Sequence, residues 1–150
     1  MGIQTGNYLT PQRLNTRSVR ARRTNTLSLS SGAVTAISFD AEDFDNSSMF
    51  AATSTIITLP IGGLWGFAAG GVFASNGTGL RRLLVDVNGS GTYPWIDSRS
   101  AVSGDNTAIT LSDTHVAAAG DQLQLFAHQN SGGALNLLAG VRFSAWLIEF

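Results

Sequence analysis

Cysteine is absent from this 150-residue sequence, and charged residues make up only 13% of it. Without cysteine the chain can form neither disulfide bonds nor thiolate metal sites, and it has no cysteine nucleophile. The charged fraction is far below the roughly 25% of an average globular protein. Such a weakly polar surface indicates contact with another subunit. No apolar run approaches the roughly 20 residues of a membrane-spanning helix, so we predict no membrane partner.

Lysine is also absent, so all nine basic residues are arginines. Five of them precede Thr24, in a stretch without any acid, and the other four share the rest of the chain with all ten acidic residues. We therefore divide the chain into an extended basic arm, residues 1–26, and a folded domain, residues 27–150. The arm resembles neither a secretory signal nor a nucleic-acid motif, which favours docking on an acidic protein surface. The predicted docking residues are Arg13, Arg17, Arg20, Arg22 and Arg23.

Short β segments separated by turn residues follow from Leu27 onward. Turn signals at 76–79, 88–89 and 130–133 divide segments that are rich in β-branched and apolar residues, among them the predicted strands 80–87, 107–111 and 121–129. In 121–129, Leu123, Leu125 and Ala127 share one face, which predicts a half-buried strand. The pattern gives about eight strands and no amphipathic helix, which is typical of an antiparallel sandwich. The fold class predicted from the residues is therefore all-β, and the polar stretch 40–48 is predicted to be a loop.

Two apolar segments have more hydrophobic surface than one sandwich core can bury. The last segment, 143–150, is apolar on both faces, and the glycine-rich segment 64–74 presents three aromatic residues on one face. The second face of 143–150 must be covered by a partner subunit or by the arm. Ordinary core packing with a bulge would account for 64–74, whereas self-association would account for both segments. The residues predicted to form a subunit interface are Trp65, Phe67, Phe73, Trp146, Ile148 and Phe150.

Candidate chemistry is sparse. The acidic run 40–45 is open to three readings: a divalent-cation site, a solvated loop or a docking site for an arginine arm. It lacks the glycine-centred loop of an EF-hand. His115 and His128 have no accompanying nucleophile motif, so we predict no enzyme activity and no cofactor. Tyr93 and Trp95 flank Pro94, and they are predicted either to stack on a sugar or to cap the sandwich.

The order of several short motifs resembles the jelly roll of tumour-necrosis-factor-like and complement globular-head domains. The resemblance covers roughly 33–150, and its motifs are Phe39-Asp40 with Phe44-Asp45 and Met49-Phe50, Ile57-Thr58-Leu59-Pro60, Gly63-Leu64-Trp65-Gly66-Phe67, 76–81, Asn88-Gly89, 119–123, 129–133 and 143–148. It implies a ten-stranded jelly-roll sandwich that packs as a homotrimer, with the C-terminal strand at the trimer axis.

The chain lacks the secretion signal, collagen stalk and disulfides of the host-defence members, so it looks closer to the versions found in tailed bacteriophages. We therefore expect a non-enzymatic virion protein on the outer surface of the particle. Its arm would anchor a capsid decoration or head fibre to the major capsid protein or another virion protein. The alternative is a tail-tip protein that recognises a host glycan through Tyr93 and Trp95. The sequence leaves capsid and tail locations open.

Overall fold

The computed structural model describes residues 17–149, and these form twelve β-strands and no helix. All strand pairs are antiparallel, and they build two sheets that pack face to face. This confirms the predicted antiparallel sandwich. The resemblance implied ten strands, and the structure has twelve because several segments of only three residues also pair. Within residues 17–149 we find no helix with the length and hydropathy needed to cross a bilayer.

The larger sheet has seven strands in the order β2-β11-β6-β12-β1-β4, with β9 paired to the other edge of β6. Its strands are β1 (Ser18–Arg22), β2 (Leu27–Leu29), β4 (Ala41–Asp45), β6 (Gly63–Phe73), β9 (Thr107–Ala117), β11 (Leu135–Leu137) and β12 (Arg142–Glu149). The last strand therefore lies inside the sheet, between β6 and β1.

The smaller sheet has five strands in the order β3-β10-β7-β8, with β5 also paired to β10. Its strands are β3 (Val34–Ala36), β5 (Ile56–Thr58), β7 (Leu80–Val87), β8 (Trp95–Ser100) and β10 (Gln122–Gln129). The alternation predicted for β10 is confirmed, because Leu123, Leu125 and Ala127 are completely buried against the larger sheet.

The core lies between the two sheets and contains the aromatic face of β6. Trp65, Phe67 and Phe73 are 0% exposed within the single chain. The prediction that they contact a partner subunit is therefore wrong. Alternation shows which residues of β6 share a face, but only the second sheet decides that this face points inward.

The domain boundary predicted at residue 27 is also wrong. Residues 18–22 form β1, which pairs with β12 on one side and β4 on the other. Val19 and Ala21 of this strand are completely buried in the core. The segment was assigned to an arm because arginines alternate with these small apolar residues and conceal their periodicity. The folded unit begins at or before Ser18.

The acidic run is a strand where a loop was predicted. Residues 41–45 form β4, which lies at the edge of the larger sheet beside β1, and Asp40 precedes the strand. A β-bulge between Arg20 and Ala21 shifts the register of this pair. The arginines of β1 and the acids of β4 consequently become neighbours within one chain, which offsets the poor intrinsic β-propensity of Asp and Glu.

Candidate functional site

The outer face of the larger sheet carries an apolar patch at one end, formed by Leu64, Val116, Trp146 and Ile148. Strand register places Leu64 beside Val116 and Glu149, and Trp146 beside the next outward position of β6. Ile148 lies at the register shift between Leu147 and Glu149. Val116 is 77% exposed, Ile148 51% and Trp146 38%. On the inward side of β12, Phe143 and Ala145 are completely buried, whereas Trp146 and Ile148 are exposed. Three large apolar side chains exposed on one surface are typical of an interaction site.

Glycine makes room for the indole of Trp146 on this face. A Cβ atom at Gly66 would overlap the Trp146 ring, so the ring lies against the bare backbone of β6. The next outward positions along β6 are Ala68 and Gly70, which are equally small. The middle of the sheet is therefore shallow, and another polypeptide can approach its backbone closely.

The opposite end of the outer face is charged. The Nε atom of Arg22 donates to Asp43 Oδ1 at 2.9 Å, and Arg142 Nε lies 4.0 Å from the other oxygen of the same carboxylate. Beside them, the guanidinium carbon of Arg20 lies 5.3 Å from the centroid of the Phe44 ring. The face thus changes from apolar to charged along the strands.

These contacts correct the predicted docking residues of the arm. Arg20 and Arg22 belong to β1, and Arg22 already has an acidic partner in β4 of its own chain. Arg17 lies at the start of the described chain, and its carbonyl oxygen accepts a hydrogen bond from β12 at 2.9 Å. Arg13 lies outside the described residues. The acidic run was interpreted as, among other things, a dock for an arginine arm from a neighbouring chain, and in the structure its Asp43 pairs with Arg22 of the same chain.

The corner after β1 is held by Asp40 and Arg23. Asp40 accepts hydrogen bonds from the Thr24 amide at 2.7 Å, the Thr24 hydroxyl at 2.8 Å and the Asn25 amide group at 2.9 Å. These bonds, led by the Thr24 amide, hold the pKa of the Asp40 carboxyl below its ordinary value. Arg23 donates to the carbonyl and the hydroxyl of Ser38. Arg23 is therefore a structural residue, and the Asp40 carboxylate is fully engaged.

In the part of the chain that the structure describes, we find no assembled site for metal binding or acid–base catalysis. Residues 17–149 contain no group of three or more His, Asp and Glu side chains placed to hold a metal ion. His115 Nε2 lies 3.5 Å from Asp121 Oδ2, and its ring packs edge-on against Trp95. A hydrogen bond from Asn88, then one from the Ala118 amide, lowers the pKa of Asp121. The described hydrogen bonds place no hydroxyl nucleophile on this histidine.

Solved structures share this architecture at low sequence identity. The globular domain of zebrafish complement 1qA aligns with a TM-score of 0.64 and 13% identity, over 88% of this chain and 97% of that one. Murine APRIL at pH 5.0 gives 0.69 and 14%, over 89% and 99%. Eiger TNF from S. frugiperda gives 0.65 and 9%, over 89% and 92%. The chain has their jelly-roll fold. No protein-family model and no curated protein matches its sequence.

Tyr93 and Trp95 point to opposite sides of the jelly roll. Trp95 is directed between the sheets, where its ring packs on Phe67 with centroids 4.7 Å apart. Tyr93 lies on the outer face of the smaller sheet, against Phe126 at 5.1 Å. The capping interpretation therefore applies to Trp95, which is not placed for receptor contact. Tyr93 remains a candidate.

Among the predicted interface residues, Trp146 and Ile148 lie together in the apolar patch of the jelly roll, and Phe150 lies outside the described residues. Val116 was missed because the sequence interpretation ended its strand at Leu111, whereas β9 continues to Ala117. A signal was available: outward positions of β9 alternate through Ser112 and Thr114 to Val116, which shares their side of the strand.

Proposed function

We propose that this chain is a non-enzymatic structural protein that forms a homotrimer through the outer face of its larger sheet. The observation that carries the proposal is the exposed apolar patch around Trp146 and Ile148 on an internal strand. An internal strand has no free backbone edge, so the patch gains its burial through side-chain packing with another copy. The trimeric state follows from the resemblance to tumour-necrosis-factor-like domains, and the shared jelly-roll fold supports it.

The position of β1 links this trimer to an anchoring role. Ser18, the first residue of β1, pairs with Trp146, so residues 1–16 are joined to the domain directly beside the apolar patch. In a ring closed through that patch, three such segments start near one another. Three weak attachments acting together bind far more tightly than one. The anchoring segment is therefore shortened from the predicted 1–26 to 1–16, and Arg13 is its one arginine.

The particle to which we assign this trimer is a virion. The resemblance of the sequence to the versions of this jelly roll found in tailed bacteriophages supports a capsid decoration or head-fibre protein on the outer surface. The low fraction of charged residues also supports a chain whose surface is in contact with other subunits.

Replacing Ile148 by Asp tests the trimer interface. We expect Ile148→Asp to leave a monomer, because burying an unpaired carboxylate in each of three contacts costs several kcal/mol. The matched control is Ile96→Asp, since Ile96 is also 51% exposed but lies on the smaller sheet. Light scattering should give the mass of three 15.7 kDa chains for the wild type and the control. A trimer of unchanged mass in Ile148→Asp would refute this interface.

Removing residues 1–16 tests the anchor. We expect the truncated chain to remain a trimer and to lose attachment to virus particles from which the protein has been stripped, as measured by co-sedimentation. Arg13→Glu should weaken attachment in the full chain, whereas Arg99→Glu, which changes an exposed arginine of β8, should not. Undiminished attachment of the truncated trimer would exclude the anchoring role.

A further inference from the structure

The outer face of the smaller sheet carries a second, separate group of apolar side chains. Strand register aligns Ala36, Phe126, Leu84 and Ile96 in one row across four adjacent strands. Leu84 is only 4% exposed although it points away from the core, whereas Ile96 is 51% exposed. The ring of Tyr93 packs edge-on against Phe126. We call this row together with Tyr93 the aromatic ledge.

Tyr93 is held on the ledge in a strained conformation. Its φ is 44°, in the left-handed region that a bulky side chain seldom adopts. The loop that carries it is fixed by Asp86, which accepts hydrogen bonds from the Ser90 hydroxyl and, at 3.0 Å, from the Gly91 amide. Burial acts to raise the pKa of Asp86, but these hydrogen bonds outweigh it and hold the pKa below its ordinary value. A buried carboxylate thus keeps the aromatic ring in place.

A polar row lies directly beside the aromatic ledge. Register places Val34, His128, Arg82 and Ser98 next to one another on the same face. Arg82 donates through Nε to the Ser98 hydroxyl at 3.1 Å, and within residues 17–149 it has no acidic partner. Burial and then the charge of Arg82 lower the pKa of His128, so its imidazole is neutral at neutral pH. Its Nδ1 has no hydrogen-bond partner among the described residues.

We propose that this face binds an acidic saccharide. The aromatic ledge offers apolar and aromatic surface to the C–H face of a sugar ring. The unpaired guanidinium of Arg82 suits a carboxylate. The Ser98 hydroxyl can exchange hydrogen bonds with ring hydroxyls, whereas the unpartnered Nδ1 of His128 is buried. The four strands span about 14 Å at about 4.8 Å per strand spacing, which accommodates a short oligosaccharide and not an extended protein interface.

The site is independent of the trimer. It lies on the outer face of the smaller sheet, whereas the apolar patch lies on the outer face of the larger sheet, on the opposite side of the sandwich. Binding should therefore persist in the Ile148→Asp monomer. Loss of trimerisation and loss of saccharide binding are consequently separate results, and either proposal can fail alone.

The experiment is a glycan array that holds sialylated and uronate-containing oligosaccharides beside their neutral parent sugars, followed by titration of the best acidic ligand. We expect the wild-type protein to bind acidic members and to bind their neutral parents about tenfold or more weakly. The affinity of Arg82→Gln for the acidic ligand should be lower than that of the wild type by about the same factor. The affinity of Tyr93→Ala for this ligand should also be lower. The matched control is Arg99→Gln, because Arg99 is an exposed arginine on β8 whose strand partner is the inward-facing Arg81.

Three outcomes would overturn the assignment. Equal binding of acidic and neutral glycans would contradict the proposed contact of Arg82 with a carboxylate. Equal losses of affinity in Arg82→Gln and Arg99→Gln would contradict it as well. If no glycan on the array binds, a saccharide is excluded and a polypeptide is left as the occupant of the aromatic ledge. Thermal unfolding of each variant shows that a lost signal does not come from a lost fold.

Discussion

Replacing Arg81 by Met should lower the free energy of unfolding by about 3 kcal/mol, or roughly 6–12 °C in Tm for a domain of this size. Arg81 is 0% exposed, yet it makes no ion pair within the described residues. Its guanidinium donates instead to the carbonyl oxygens of Asn76, Thr78 and Leu80 at 2.8–3.0 Å. Methionine fills similar space but removes the donor from all three acceptors, of which, among residues 17–149, only the Leu80 carbonyl keeps another, the Asn130 amide at 3.4 Å. Urea unfolding at fixed protein concentration measures the loss.

Arg82→Met is the matched control, because the neighbouring arginine points to the opposite side of β7. Its guanidinium makes one hydrogen bond, to the Ser98 hydroxyl, and no carbonyl depends on it. We expect this change to alter stability by less than about 1 kcal/mol. Equal losses in the two variants would show that Arg81 contributes no more than a surface arginine, and the carbonyl-clamping role would then be wrong.

Gly79→Ala should cost about 3 kcal/mol for two separate reasons. The φ of Gly79 is +79°, where an alanine is disfavoured by about 1–2 kcal/mol. A Cβ atom there would also lie 2.9 Å from the carbonyl carbon of Asn130 and closer still to its oxygen atoms. Overpacking of this kind costs about 1–3 kcal/mol. Asn130 cannot simply move, because its side-chain oxygen accepts the Leu80 amide at the start of β7.

Gly104→Ala separates the two contributions. Gly104 has nearly the same φ, +82°, but nothing lies within 4 Å of a Cβ placed there. This variant should lose only the conformational part, about 1–2 kcal/mol. Chemical unfolding of both proteins gives the difference directly. If Gly104→Ala is as destabilising as Gly79→Ala, the contact with Asn130 contributes nothing to the loss in the free energy of unfolding.

The sequence predicted those strands that turn signals bound or whose apolar residues mainly alternate. β7 is predicted at its observed bounds because turn signals flank it at 76–79 and 88–89, and β10 to within one residue because Leu123, Leu125 and Ala127 alternate with mostly polar residues. β1 and β4 were missed, since each depends on the other. Their charged residues are typical of a solvent-exposed segment, and only the pairing of β1 with β4 brings Arg22 to 2.9 Å from Asp43. Such pairing joins residues far apart in the chain and has no local signal.

The candidate sites divide in the same way. Trp146 and Ile148 could be found from sequence because both faces of one strand are apolar. The choice between core and interface for Trp65 could not be made, since alternation does not say which face meets the second sheet. The row that joins Arg82 to His128 exists only through the register of β7 with β10. Sites of this kind become visible only when sheet order is known.

The insertion of β12 between β6 and β1 also sets the order of events during synthesis. Arg20 and Ser144, which meet across that pair, are 124 residues apart. At about 5–20 residues per second, a ribosome needs roughly 6–25 s to make the intervening chain. During that time the edge of β1 is unpaired, and Trp146, which completes the apolar patch, has not yet been translated. In the proposed homotrimer, subunits therefore cannot join through this patch before Trp146 has been synthesised.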